Sequence, residues 1–138
     1  MALIRNGNVT GERKRIDRGF SVTGMALGES SLYEKLINEA TVLFRGANYT
    51  HEVDTIKELD NFVSINSAIE VDLFGQVNSE FAGGKQLSGT GGAVDFMRAA
   101  KTSSGGKSII AMNATAKGGK KSKIVPKVEM VTALRTDV

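Results

Sequence analysis

Apolar strand-like segments alternate with helix-like ones along this chain, and the alternation predicts an α/β fold, a layered sheet with helices on its faces. Two further observations support that class. A glycine cluster, Gly89-Thr90-Gly91-Gly92, stands between an extended segment and a helix-like run, the junction at which α/β proteins present backbone N–H groups to an anion or an oxyanion. Pro126 is the only proline among 138 residues, so long structureless linkers are not expected and residues 1–138 read as a single domain. A chain of this length buries roughly 68% of its unfolded surface.

The elements follow in order. Residues 20–27 (FSVTGMAL) form a β-leaning apolar run that ends at Gly28. Ser30 or Ser31 can cap the next segment, in which Leu32, Leu36 and Ile37 fall on one helical face as far as Ala40. Residues 41–44 (TVLF) are a short buried-strand candidate closed by Arg45-Gly46. Residues 53–59 read as one or two helical turns, 62–74 as a strand pair or a bent strand, and 92–100 as a helix. Residues 108–112 (SIIAM) and 122–128 complete the set as strands. No internal repeat is present.

Composition excludes several classes of function. Apolar residues at 41% and charged residues at 24% are ordinary for a soluble globular protein. With no cysteine, disulfides, thiolate metal sites and thiol catalysis are ruled out, and the lone His51 rules out a multi-histidine metal cluster. No apolar run reaches the ~18 residues of a membrane span, and the first residues lack a secretory apolar region. A soluble cytoplasmic protein with no membrane partner is the expectation. The net charge of +3 is unevenly placed: residues 117–127 carry five lysines and no acid. Without interleaved aromatics that stretch reads as a solvated, glycine-rich lysine loop, with a polyanionic small molecule as its alternative ligand and nucleic acid a distant third.

Three motifs carry potential chemistry. Ser104-Gly105-Gly106-Lys107-Ser108 resembles the end of a phosphate-binding P-loop, but Lys101 stands where the first glycine belongs and a strand follows the lysine, so a nucleoside triphosphatase is excluded. Lys107 stays available to a phosphate or a carbonyl, with a solvated turn lysine as the alternative. The Gly89-Gly92 turn permits close backbone approach at a positive helix end. A fixed N–H aimed at an oxyanion contributes about 3–4 kcal/mol, against about 0.3–1 kcal/mol for the helix dipole, so its local geometry decides its use. Asp95 behind it reads as a first-turn helix acid. Glu70 and Asp72 are two apart in an extended segment and share one face. With Glu80 they offer acid/base carboxylates, or else a solvated face or an interface rim.

The order SINSAIEVDLFGQVNSE, GTGGAVDFMRAA, GGKSIIAM and SKIVP closely resembles the C-terminal domain of the acetyl-CoA hydrolase/4-hydroxybutyrate CoA-transferase group, within the class I CoA-transferase family. The resemblance is strongest over residues 63–128 and extends upstream through GNVTGERKRIDRGFSVTGMALG and residues 44–50. It implies a glutamate that attacks acyl-CoA and passes through an acyl anhydride and a glutamyl-CoA thioester, with a carboxylate as acceptor in transferases and water in hydrolases. It implies coenzyme A contacts at Asn66, Gly89 and Lys107, with Gly91 and Gly92 in the same turn, and no metal. The family's catalytic glutamate lies upstream of the GNVTG-like segment, so none of its catalytic residues is expected in this chain; Asn78-Ser79-Glu80 matches another transferase motif only superficially. Acyl-CoA and small carboxylates are the implied partners. An internal portion of a longer enzyme, or a homo-oligomer, is the implied context, with a non-catalytic assembly module as the competing class. Ala93, often glutamine in relatives, and the extra Lys120 and Lys121 depart from the family pattern.

Overall fold

The computed structural model describes residues 1–138. Strands and helices alternate only as far as α4; beyond it α5 is the single helix among nine strands, and the strands, two to four residues long, pair in five separate small sheets in place of one layered sheet. Turns are the cause. At Gly83-Gly84 and at Lys117-Gly118-Gly119 consecutive residues take positive φ, which reverses the chain before a strand can lengthen.

The N-terminal portion holds α1 (Ala2–Arg5), β1 (Ser21–Thr23), α2 (Ser30–Ile37) and β2 (Val42–Phe44). β1 and β2 pair in parallel, Ser21 opposite Val42, with α2 as the crossover. The apolar run at 20–27 stays extended only as far as Thr23; beyond Gly24, Met25 and Leu27 are exposed. The N-cap of α2 is Glu29 and makes no side-chain cap bond, so neither serine serves that role. Leu32 and Leu36 are half-buried, but Ile37 is 81% exposed, so the apolar face of α2 is covered only in part. Two single-turn helices follow, α3 (Ala47–Thr50) and α4 (Val53–Ile56).

The second portion contains β3 (Val63–Asn66), β4 (Glu70–Asp72), β5 (Val77–Asn78), the hairpin β6 (Phe81–Ala82) and β7 (Lys85–Gln86), and α5 (Ala93–Thr102). β8 (Lys107–Ile110), the hairpin β9 (Thr115–Ala116) and β10 (Lys121–Ser122), and β11 (Ile124–Val125) complete it. β3 and β8 are parallel, with α5 leading into β8, and β11, β4 and β5 form a three-stranded ladder. The lysine-rich stretch is therefore a hairpin rather than an open loop, and Lys123 turns inward to donate to the Ala68 carbonyl at 2.8 Å. Met97, with no exposed surface, sits with Ala68, Val77 and Ala133 at the centre of the core. Burial of such a side chain contributes roughly 1.5–3 kcal/mol.

Buried polar groups tie the loops to this core. Asp72 accepts from the N–H groups of Phe74 and Gln76 and from the Gln76 amide, and receives Val128 N–H at 3.2 Å. Burial alone would raise its carboxyl, but these bonds, led by Gln76, hold it below the ordinary value. Glu70 accepts from Asn78 Nδ2 at 3.1 Å. Both carboxylates therefore carry hydrogen bonds that hold the loops in place. Ser103 accepts Phe62 N–H and donates to the Leu59 carbonyl at 2.5 Å, fixing the end of α5 to the start of β3.

The accessible surface is 9079 Å², against roughly 6,900 Å² for a compact monomer of this size. Exposed apolar side chains accompany it: Val63, Ile65 and Ile109 share the uncovered face of the β3–β8 ladder. No helix is long and apolar enough to cross a membrane.

Candidate functional site at the head of helix α5

Parallel pairing brings the ends of β3 and β8 to one side, where Asn66 stands opposite Ile110. The Asn66 carbonyl accepts Ala111 N–H at 2.8 Å, and its Nδ2 donates to Ser64 Oγ at 2.8 Å. The backbone is thus fixed and the side-chain amide oriented, while Oδ1 has no partner within the chain.

The first turn of α5 lies at the same end, because Ala93 and Val94 pack with Ile110 and Met112 around the Met97 cluster. Its N-cap, Gly92, offers no side-chain acceptor, and the N–H groups of Ala93, Val94 and Asp95 have no acceptor in the chain. Three unpaired donors thus cluster at the positive end of the helix. Gly89 and Gly91 lie in the exposed turn before them, Gly91 at φ 56. A Cβ at either would meet nothing within 4 Å, so an incoming group can approach the backbone closely.

Gly92 is constrained instead. A Cβ there would overlap the ring of His51, which packs on Phe96 at a centroid distance of 4.7 Å and holds Nδ1 2.8 Å from Thr50 Oγ1. Lys107 stands apart from this group. It opens β8 opposite Val63, three rungs from the Asn66 rung and on the exposed sheet face away from α5.

Beside His51 opens a cavity of about 730 Å³ walled by Ile16, Met25, Ile56, Leu59, Phe62 and Phe96. Its charged lining residues are Lys14 and Asp17. Tyr49 donates its hydroxyl to Asp17 Oδ2 at 2.7 Å, which holds the phenol above its ordinary pKa. Burial pulls the Lys14 ammonium down, opposed by the charge of Asp17. A second, more polar cavity of about 770 Å³ shares the Lys14, Leu59 and Phe62 wall. Sequence reasoning missed His51, Asp17 and Phe96 as site residues. Their positions are scattered over 80 residues of chain, and no local pattern joins them.

Unpaired helix N–H groups and an amide at the carboxyl end of a parallel strand pair, beside an apolar cavity, are an arrangement of the α/β class, in which ligands bind outside the carboxyl ends of the strands. Residues 28–138 match the family model for the acetyl-CoA hydrolase/transferase C-terminal domain, and the chain belongs to that family. The 4-hydroxybutyrate coenzyme A transferase of Clostridium kluyveri is 41% identical over 136 residues, covering 99% of this chain and 32% of the relative. The butyryl-CoA:acetate CoA-transferase of Anaerostipes caccae is 40% identical over 113 residues, covering 82% and 25%. The crystal structure of RipA from Yersinia pestis superposes with a TM-score of 0.86 at 40% identity, over 99% of this chain and 30% of RipA. The chain thus spans between a quarter and a third of these three relatives, and the family to which it belongs is one of CoA-transferase enzymes.

Proposed function

We propose that this chain forms the coenzyme A-contacting part of an acyl-CoA:carboxylate CoA-transferase, of the acetyl-CoA/4-hydroxybutyrate kind. The observation that carries the reading is the meeting, at one end of the β3–β8 ladder, of the Asn66 amide and the three unpaired N–H groups of α5. The thioester carbonyl docks against the helix N–H groups, Asn66 Oδ1 accepts from a donor of the coenzyme, and Gly89 and Gly91 leave the backbone open to its approach. A glutamate outside this chain attacks the carbonyl carbon and expels CoA thiolate, forming an acyl-glutamyl anhydride. The thiolate then attacks the glutamyl carbonyl, releases the carboxylate and leaves a glutamyl-CoA thioester, which an incoming carboxylate resolves in reverse. Each donor aimed at the oxyanion contributes about 3–4 kcal/mol to these steps. Lys107 enters the proposal as a contact to a distant part of the coenzyme that runs along the exposed sheet face. Engagement of Glu70 and Asp72 in structural hydrogen bonds supports a nucleophile supplied from elsewhere.

Two measurements on the 138-residue chain test this. Calorimetric titration with coenzyme A should show binding that Asn66→Ala weakens roughly tenfold, the worth of one or two hydrogen bonds. Intact mass after incubation with acetyl-CoA and borohydride should be unchanged. A covalent change mapped to Glu80, whose Oε2 is buried without a partner, would locate the nucleophile inside the chain; affinity indifferent to Asn66 would remove the site.

A further inference from the structure

The apolar cavity beside α5 is not used by the steps above, and its size, position and charge define what it takes. At about 730 Å³ it falls within the ~300–1,000 Å³ range of small-molecule pockets. His51 touches both Gly92 and Phe96, so the cavity starts at the head of α5, where a thioester carbonyl meets the helix N–H groups. Its two charged lining residues, Lys14 and Asp17, are of opposite sign, and Asp17 accepts the Tyr49 hydroxyl at 2.7 Å. A carboxylate entering it would shed its hydration and find no unopposed cation among apolar walls, a costly exchange.

We propose that this cavity receives the acyl chain of an uncharged, apolar acyl thioester of butyryl size or larger, and that it discriminates against acyl groups ending in a second carboxylate. The inference deepens the CoA-transferase reading and rests on it for the thioester, while the cavity's preference for apolar chains rests on its walls alone. Each methylene buried in such a pocket raises affinity about fourfold, so butyryl exceeds acetyl about 15-fold. The succinyl group, with the same carbon count as butyryl, gains none of this.

The test uses S-acetyl-, S-butyryl- and S-succinyl-N-acetylcysteamine, which carry the thioester without the nucleotide, titrated into the 138-residue chain at neutral pH. Methyl resonances of Met25 and Ile56, on the cavity wall, report occupancy. Half-saturation by the butyryl probe at a concentration about 15-fold below the acetyl probe, with the succinyl probe no better than acetyl, is the expected result. Equal responses, a succinyl preference, or no response from either methyl overturns the proposal. Coenzyme A titrated in parallel separates the two readings. Coenzyme A binding with no acyl discrimination removes the cavity proposal alone, whereas acyl discrimination with no coenzyme A binding removes the CoA-contacting role alone.

Discussion

Replacing Gly92 by alanine adds one methyl group at the head of α5, and the structure sets two opposing effects. The backbone there, φ −91 and ψ 7, accepts alanine without strain, and the reduced freedom of the unfolded chain stabilises by about 0.4–1 kcal/mol. The added carbon, however, would overlap Cδ2 and Nε2 of His51 and lie 3.3 Å from Phe96 Cε2. His51 is held between Phe96 and Thr50, so relief needs a shifted ring, and overpacking of that kind costs about 1–3 kcal/mol. Gly92→Ala should therefore destabilise by roughly 0.5–2 kcal/mol, moving the urea midpoint down by about 0.5–1 M. In a His51→Ala background the obstacle is gone, and the same change should become neutral or stabilising. A double-mutant cycle by urea unfolding reads the coupling directly. A Gly92→Ala cost equal in the two backgrounds, within about 0.5 kcal/mol, would refute the contact between the helix head and the histidine.

Met97→Ala empties the centre of the core, since Met97 has no exposed surface. The expected loss is about 2–5 kcal/mol, a fall of roughly 6–20 °C in Tm by scanning calorimetry; a smaller fall would mean that the core recloses. Asp72 has a folded pKa below the ordinary 3.8, held there by its hydrogen bonds against the effect of burial. A depressed carboxylate stabilises the fold above its unfolded pKa and loses that contribution as pH falls through the folded value. Stability measured by urea midpoint should therefore decline below about pH 4, and Asp72→Asn should flatten that decline. An acid slope unchanged in the variant would count against the Asp72 cluster.

Much of the fold is legible in the sequence where local chemistry is strong. The run after Gly92 is a helix and extends to Thr102, one turn's fraction beyond the reading. The apolar segment at 62–74 contains β3 and β4, and that at 108–112 overlaps β8, which starts one residue earlier and ends at Ile110. The Gly83-Gly84 pair is a two-residue hairpin signal in its own right, yet the strand–helix alternation hides it, and Phe81 pairs with Gln86 across it. What the sequence hides lies between distant residues. Register is one case: nothing in Lys107 or Val63 announces that they pair, and this pairing sends Lys107 to the opposite end from Asn66. The candidate site is another. Asn66 and the glycines are readable from motif and resemblance, but the cavity is assembled from side chains as far apart as Ile16 and Phe96. Its walls come from tertiary packing, which no periodicity encodes.

The β3–β8 ladder also sets an order on the birth of this domain. Its first rung joins Val63 to Lys107, which are 44 residues apart along the chain. At a synthesis rate of ~5–20 residues per second, the ribosome takes roughly 2–9 s to deliver the second strand after the first. The β6–β7 hairpin, once made, can close in about 1–10 μs, long before the ladder that frames it is available. For those seconds Ile65 is an unpaired apolar strand on a nascent chain, and the interval in which a chaperone is most useful to this domain falls between the emergence of β3 and that of β8.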